Sequence, residues 1–216
     1  MSDSHSSILS HQFETLDQQR ASAEFGMWLF LVTEVLFFGG LFVSYAVYRY
    51  LYPVAFAESS QTLDMWLGCF NTFVLLTSSL TMALAVHAAE AGDKRKLIRF
   101  LLFTMFLGTV FLVIKGFEYH HKFEHHLVPG AHFEFEGPEK EHAQIFFFLY
   151  FVMTGIHGLH MIIGLGVLSV LILMAYNDRF SKEYFNPIHI TGLYWHFVDI
   201  VWIFLYPFLY LIGHPK

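Results

Sequence analysis

Apolar and polar positions in this chain are segregated into blocks, with five apolar runs at about 26–50, 66–89, 97–117, 143–174 and 190–212 separated by polar segments. Each run has roughly 20 residues or more, the length an α-helix rising about 1.5 Å per residue needs to cross bilayer hydrocarbon. The pattern predicts an all-α, polytopic membrane bundle of five transmembrane helices. The third run is the shortest, and the fourth is long enough to tilt or to project beyond the membrane. Between the third and fourth, Glu118 to His142 reads as a polar loop of about two dozen residues with Pro129-Gly130 and Gly137-Pro138 turn signals. The chain thus divides into a polar N-terminal segment (1–25), a five-helix domain (26–212) and, within it, an acidic, His-rich outer loop (118–142). No internal repeat or inverted pair of halves is evident, which weighs against a transporter.

Composition agrees with the blocks. Hydrophobic residues make up 56% of the chain and charged ones 14%, too few charges for an ordinary soluble domain. The net charge of −6 argues against nucleic acid. A lone cysteine, Cys69, has no intrachain disulfide partner and reads as a packing residue. The acidic, Ser/Gln-rich start lacks the basic and apolar regions of a secretory signal peptide. Basic residues give an orientation. Lys94, Arg95, Lys96 and Arg99 follow the second span, and Arg179 and Lys182 follow the fourth, whereas Leu51 to Met65 has no Lys or Arg. The positive-inside rule places those two basic connections in the cytoplasm, the N-terminus inside and the C-terminus outside. The loop bearing Glu118, Glu124, Glu134, Glu136, Glu139 and Glu141 then faces outward.

Few ionisable residues fall inside the spans: Glu34 in the first, His157 and His160 in the fourth, and His196 and Asp199 in the fifth, with Lys115 and Glu118 at the outer end of the third. Such groups cost a few kcal/mol at membrane depth and need a partner, water or a function. His157 with His160, and His196 with Asp199, are spaced by three and share a helix face. Counted from the apolar edges, Glu34 and Asp199 both lie about 12–14 Å deep and can share a layer. His196 and Asp199 read as a local hydrogen-bonded pair locking the fifth helix to a neighbour, or as part of a proton relay. In GIHGLH, metal or haem ligation is the alternative to a plain packing helix, whose Gly155, Gly158, Gly164 and Gly166 favour close approach. His120, His121, His125 and His126 read as a solvated loop able to catch a stray metal ion. No nucleophile with its base, phosphate loop or dinucleotide fingerprint is present, so no catalytic centre of its own is visible. The residues alone leave two classes open: an accessory subunit of a larger complex, or a stand-alone small transporter or haem protein.

Four segments, in order, resemble subunit III of haem-copper oxidases of the cytochrome c oxidase type: LVTEVLFFGGLFVSY, NTFVLLTSSLTMALAVHAAEAGDKRK, FVMTGIHGLHMIIG and YWHFVDIVWIFLYPFLYLIG. The resemblance is to the short, five-helix form that lacks the first two of seven helices. It implies two groups of helices around a V-shaped cleft holding phospholipid. It also implies no cofactor in this chain, with haem and copper in the catalytic subunit I beside it, together with subunit II and cytochrome c as donor. A quinol oxidase subunit III or a nitric oxide reductase accessory protein are the alternatives within the superfamily. The expected setting is an integral protein of a bacterial plasma membrane. Glu34 matches the family's buried carboxylate; in a low-dielectric cleft it keeps its proton or is held by a hydrogen-bonding neighbour such as a histidine. Lys94, Arg95, Lys96 and Arg99 become candidates for lipid phosphates, worth about 1 kcal/mol each near an anionic leaflet. Together with His157, His160, His196, Asp199 and Glu118 as a buried polar network, these are the candidate site residues.

Overall fold

The described residues of the computed structural model, 12–130, 133–135, 137, 139–182, 184–211 and 213, are helical through every apolar run and contain no strand. The helices are α1 (Leu16–Leu51), α2 (Pro53–Gln61), α3 (Met65–Glu90), α4 (Lys94–Glu124), α5 (Lys140–Tyr176) and α6 (Asn186–Tyr206), the last running into a π-turn at Pro207–Leu211. All but α2 are long and apolar enough to cross a membrane. Residues 1–11 of the expected N-terminal segment, and Glu136, Pro138 and Ile212, lie outside the described residues.

Each spanning helix starts before its apolar block, and α1, α3, α4 and α5 also end beyond theirs. α1 starts at Leu16 because the Thr15 side chain caps it, accepting the Gln18 N–H at 3.1 Å. The third span, expected to be the shortest, is a helix of 31 residues. It continues through Lys115, Glu118 and Lys122, which sit at helical spacing and turn inward. Residues 118–124 of the expected loop are therefore helical, His120 and His121 among them. α2 is an element the pattern did not announce; Pro53 opens it at a position where no N–H is needed. It buries Phe56 edge-on against Tyr45 of α1 and Phe146 of α5.

Packing places α3 and α5 each between α4 and α6, so the four close a ring, while α1 lies outside it along α5 and α6. Trp195 of α6 is fully buried at the centre of the ring. Its indole lies 2.8–3.0 Å from where a Cβ would stand on Gly108 of α4 and Gly164 of α5, and its Nε1–H donates to Ser78 of α3 at 3.1 Å. Glycine at those two positions is what lets the ring close on so large a side chain. The other glycines of α5 behave differently from the close-packing expectation: a Cβ on Gly158 or Gly166 would meet nothing within 4 Å, and on Gly155 only the Tyr119 hydroxyl at 3.7 Å.

Pro207 ends the regular ladder of α6, and the wider turn that follows exposes carbonyls inside the protein. These are satisfied from other helices. Tyr45 of α1 donates to the Phe208 carbonyl, and Ser60 of α2 donates to that of Leu209 at 2.8 Å. Unpaired backbone polar groups are expensive at this depth, so these bonds fix the end of α6 against α1 and α2.

Candidate functional site

Glu34 sits near the midpoint of α1 and faces His160 of α5, with Oε2 3.1 Å from Nε2. The tautomer follows from the other ring nitrogen. Nδ1 lies 2.9 Å from the Ile156 carbonyl oxygen, which can only accept, so Nδ1 carries a proton. The hydrogen bond between Nε2 and Oε2 gives each of these two ionisable groups a partner, which lowers the cost of burying either at this depth. Tyr194 of α6 completes the contact by donating its hydroxyl to the His160 carbonyl at 2.9 Å, and Phe38 packs between the His160 and Phe197 rings.

The second cluster lies toward the acidic end of the bundle. Lys115 Nζ donates to Glu118 Oε2 at 3.0 Å, to the Tyr150 hydroxyl at 3.1 Å and to the Tyr210 hydroxyl at 2.8 Å. Both tyrosine hydroxyls in turn donate to Glu118 Oε1. Lys115 is 8% exposed and Glu118 6%, and the ammonium also lies 5.0–5.5 Å from four ring centroids, those of Tyr119, Tyr150, Trp202 and Tyr210. A buried ion pair whose donors and acceptors are all satisfied joins α4, α5 and the π-turn at one point. One turn further along α4, Lys122 donates to the Thr62 carbonyl at 2.6 Å.

The remaining candidates are distributed around these two clusters. His157 is buried against Phe111 and Trp202, and neither ring nitrogen has a hydrogen-bond partner. It does not join His160 in a common contact, although the two share a helix face. His196 does not pair with Asp199: its Nδ1 lies 2.7 Å from the Ser79 hydroxyl of α3. Both Asp199 carboxyl oxygens are buried without a hydrogen bond of standard geometry, the Ser79 hydroxyl being the neighbouring donor. Glu34 and Asp199 face different neighbours, α5 and α3, and do not meet. Of the basic residues, Lys94 is engaged by Asp178 at 2.6 Å and by the Tyr176 carbonyl at 2.9 Å, and Lys96 by Asp93 at 3.0 Å. Arg95 and Arg99 are exposed, with no ion pair to any described residue. Asp93 caps α4; the Lys96 backbone N–H, and then its ammonium, hold that carboxyl below the usual carboxylate range. Among the loop histidines, His121 and His125 stack edge to face with centroids 4.3 Å apart. No group of three or more His, Cys, Asp or Glu among the described residues is arranged to hold a metal ion.

Sequence reasoning missed Tyr150, Tyr210, Ser78, Ser79 and Trp195. A hydroxyl inside an apolar run is ambiguous in one dimension, because serine and threonine equally satisfy their own helix; Thr72 does so here, bonding to the Gly68 carbonyl.

An all-α integral membrane bundle whose buried polar groups tie its own helices together is the class this fold and site define. The family model for cytochrome c oxidase subunit III matches residues 10–214. Cytochrome c oxidase subunit 3 of the sea star Pisaster ochraceus is 33% identical over 206 residues, covering 88% of this chain and 69% of the relative. The trout protein of the same name, from Oncorhynchus clarkii, is 31% identical over 201 residues with the same coverage. A probable quinol oxidase subunit 3 from Staphylococcus saprophyticus is 27% identical over 208 residues, 95% of this chain and 98% of the relative. The chain belongs to the cytochrome c oxidase subunit III family.

Proposed function

We propose that this haem-copper oxidase subunit III acts without a redox centre of its own, packing against the catalytic subunit that holds haem and copper, beside subunit II, and sustaining its proton uptake and turnover. The family match over residues 10–214 carries this reading. The geometry supports it, because the four family-like segments interlock. Glu34 of the first meets His160 of the third, Tyr194 of the fourth meets the same histidine, and Ser78 and Ser79 of the second meet Trp195 and His196 of the fourth.

In this reading Glu34 with His160 fixes the seat of α1 on α5 and is not a carrier of pumped protons. The basic turn after α3 faces the cytoplasm of a bacterial plasma membrane, with Arg95 and Arg99 free to meet lipid phosphates there. Cytochrome c is the donor read from the segments; the Staphylococcus relative, a probable quinol oxidase subunit 3, favours quinol as the second reading. Assaying the purified complex with each reduced donor separates the two.

Oxidase assembled without this chain is expected to start turning over at a near-normal rate, then to inactivate after far fewer turnovers and to take up protons more slowly. Unchanged turnover lifetime and proton uptake on its removal would contradict the proposal.

A further inference from the structure

At the acidic end of the bundle a cavity of about 740 Å³ lies between the last turn of α4, the end of α2 and the loop that follows α4. Its polar lining includes His121, Lys122, Glu124 and His125 at the end of α4, Glu58 on α2 and Glu134 on the loop. Local backbone geometry explains why these share one space. α4 closes on His126 in the left-handed region, at φ 51°. The His126 carbonyl then accepts the Glu134 N–H at 2.9 Å, which folds the loop back over the helix end.

His121 and His125 are four apart, so one helical turn brings both imidazoles to the same face. Their ring centroids lie 4.3 Å apart. Both side chains are exposed, and neither ring has a hydrogen bond or ion pair to another described residue. Carboxylates supply most of the remaining charge. Glu58 has one oxygen, Oε2, covered beside Gly137 without a hydrogen-bond partner, which leaves the cavity as the side from which its charge can be met. Glu124, which also reaches His120 at 3.4 Å, and Glu134 add two more. Lys122 is the lining ammonium set against them; it is buried and donates to the Thr62 carbonyl. The cavity therefore favours a cation, and the negative end of the α4 dipole adds to that preference.

Donor type narrows the cation. Imidazole nitrogens backed by carboxylates suit Zn2+ or Cu2+, whereas Ca2+ and Mg2+ call for oxygen shells. As the side chains stand, no third His, Cys, Asp or Glu among the described residues converges on the pair. Water therefore fills the other positions, and carboxylates are the groups that hold metal-bound water in place. We propose that His121 and His125 chelate one divalent transition-metal ion of this class, Zn2+ or Cu2+, at the mouth of the cavity, with Glu58 among the carboxylates that hold its water ligands. The site binds its ion and transfers no electron.

The test is equilibrium dialysis of the complex purified through this chain against radiolabelled Zn2+. The double variant His121→Asn/His125→Asn changes two exposed side chains and is expected to lose one equivalent of bound Zn2+, whatever the other subunits hold. Glu58→Gln should keep that equivalent and weaken it about tenfold. His120→Asn, outside the chelating pair, should leave it in place. Excess Cu2+ should displace this Zn2+, as the affinity order of divalent metals requires, and excess Mg2+ should not. Unchanged stoichiometry in the double variant, an equal loss in His120→Asn, or displacement by Mg2+ would each overturn the proposal. Unaltered affinity in Glu58→Gln would mean an adventitious ion only, and would overturn it as well.

Discussion

A carboxyl at the middle of a spanning helix needs a partner within the protein, and Glu34 meets that demand through its hydrogen bond with His160 at 3.1 Å. A glutamine at position 34 can donate its amide N–H to Nε2 of a neutral His160 and keep the contact. Glu34→Gln is therefore expected to leave assembly and the initial rate nearly intact, with most steady-state proton pumping retained in liposomes; loss of most pumping at unchanged assembly would count against a structural role. Glu34→Leu orphans the His160 nitrogen and should cost about 1–3 kcal/mol, read as a lower melting point of the complex in detergent. The Lys115–Glu118 pair makes a stronger demand. Removing either partner leaves a buried, unpaired charge, worth about 3–5 kcal/mol. Lys115→Met or Glu118→Leu should each destabilise strongly, and the double variant less than the sum; additive losses would mean the pair is not coupled. Glu34, His160 and the Lys115–Glu118 pair stand out in sequence because ionisable groups are conspicuous in apolar runs. Tyr150 and Tyr210 do not, since tyrosine is at home in such runs for its ring alone.

At the scale of elements, the apolar blocks foretell five spanning helices, because backbone groups in hydrocarbon must bond within their own segment and length then decides. Helix ends are less legible. α4 continues past its apolar run because Lys115, Glu118 and Lys122 turn inward, a fact of tertiary structure invisible to a hydropathy pattern. The π-turn after Pro207 and the short α2 are held by bonds from Tyr45 and Ser60 across long sequence separations, so nothing local announces them. Glycines show the same limit: the four in α5 look alike in sequence, yet a Cβ on Gly164 would stand 2.8 Å from the Trp195 indole while one on Gly166 would meet nothing within 4 Å. Gly164→Val should overpack the ring and cost about 1–3 kcal/mol. Gly166→Ala should be neutral or slightly stabilising through helix propensity. Thermal unfolding of both variants checks the pair, and equal effects would contradict the central position assigned to Trp195.

For the whole molecule, the ring of α3, α4, α5 and α6 is held internally by Trp195 and the Lys115 cluster, while α1 stands at its edge. Only 11% of the most apolar window of α1 is buried within the chain, against 61% for the last span. Large apolar side chains of α1 such as Phe25, Trp28, Leu36 and Val43 are exposed, so this helix meets lipid or another subunit along most of its length. A chain built this way is stable as a bundle yet presents an open flank, which suits a subunit whose role is exercised on a neighbour. Purification in mild detergent through a tag on this chain, followed by mass spectrometry and a reduced-minus-oxidised haem spectrum, tests that most directly. The account predicts co-purification of a haem-copper catalytic subunit with its haem absorption. The chain recovered alone under conditions that preserve the oxidase, or a haem band arising from this chain by itself, would contradict it.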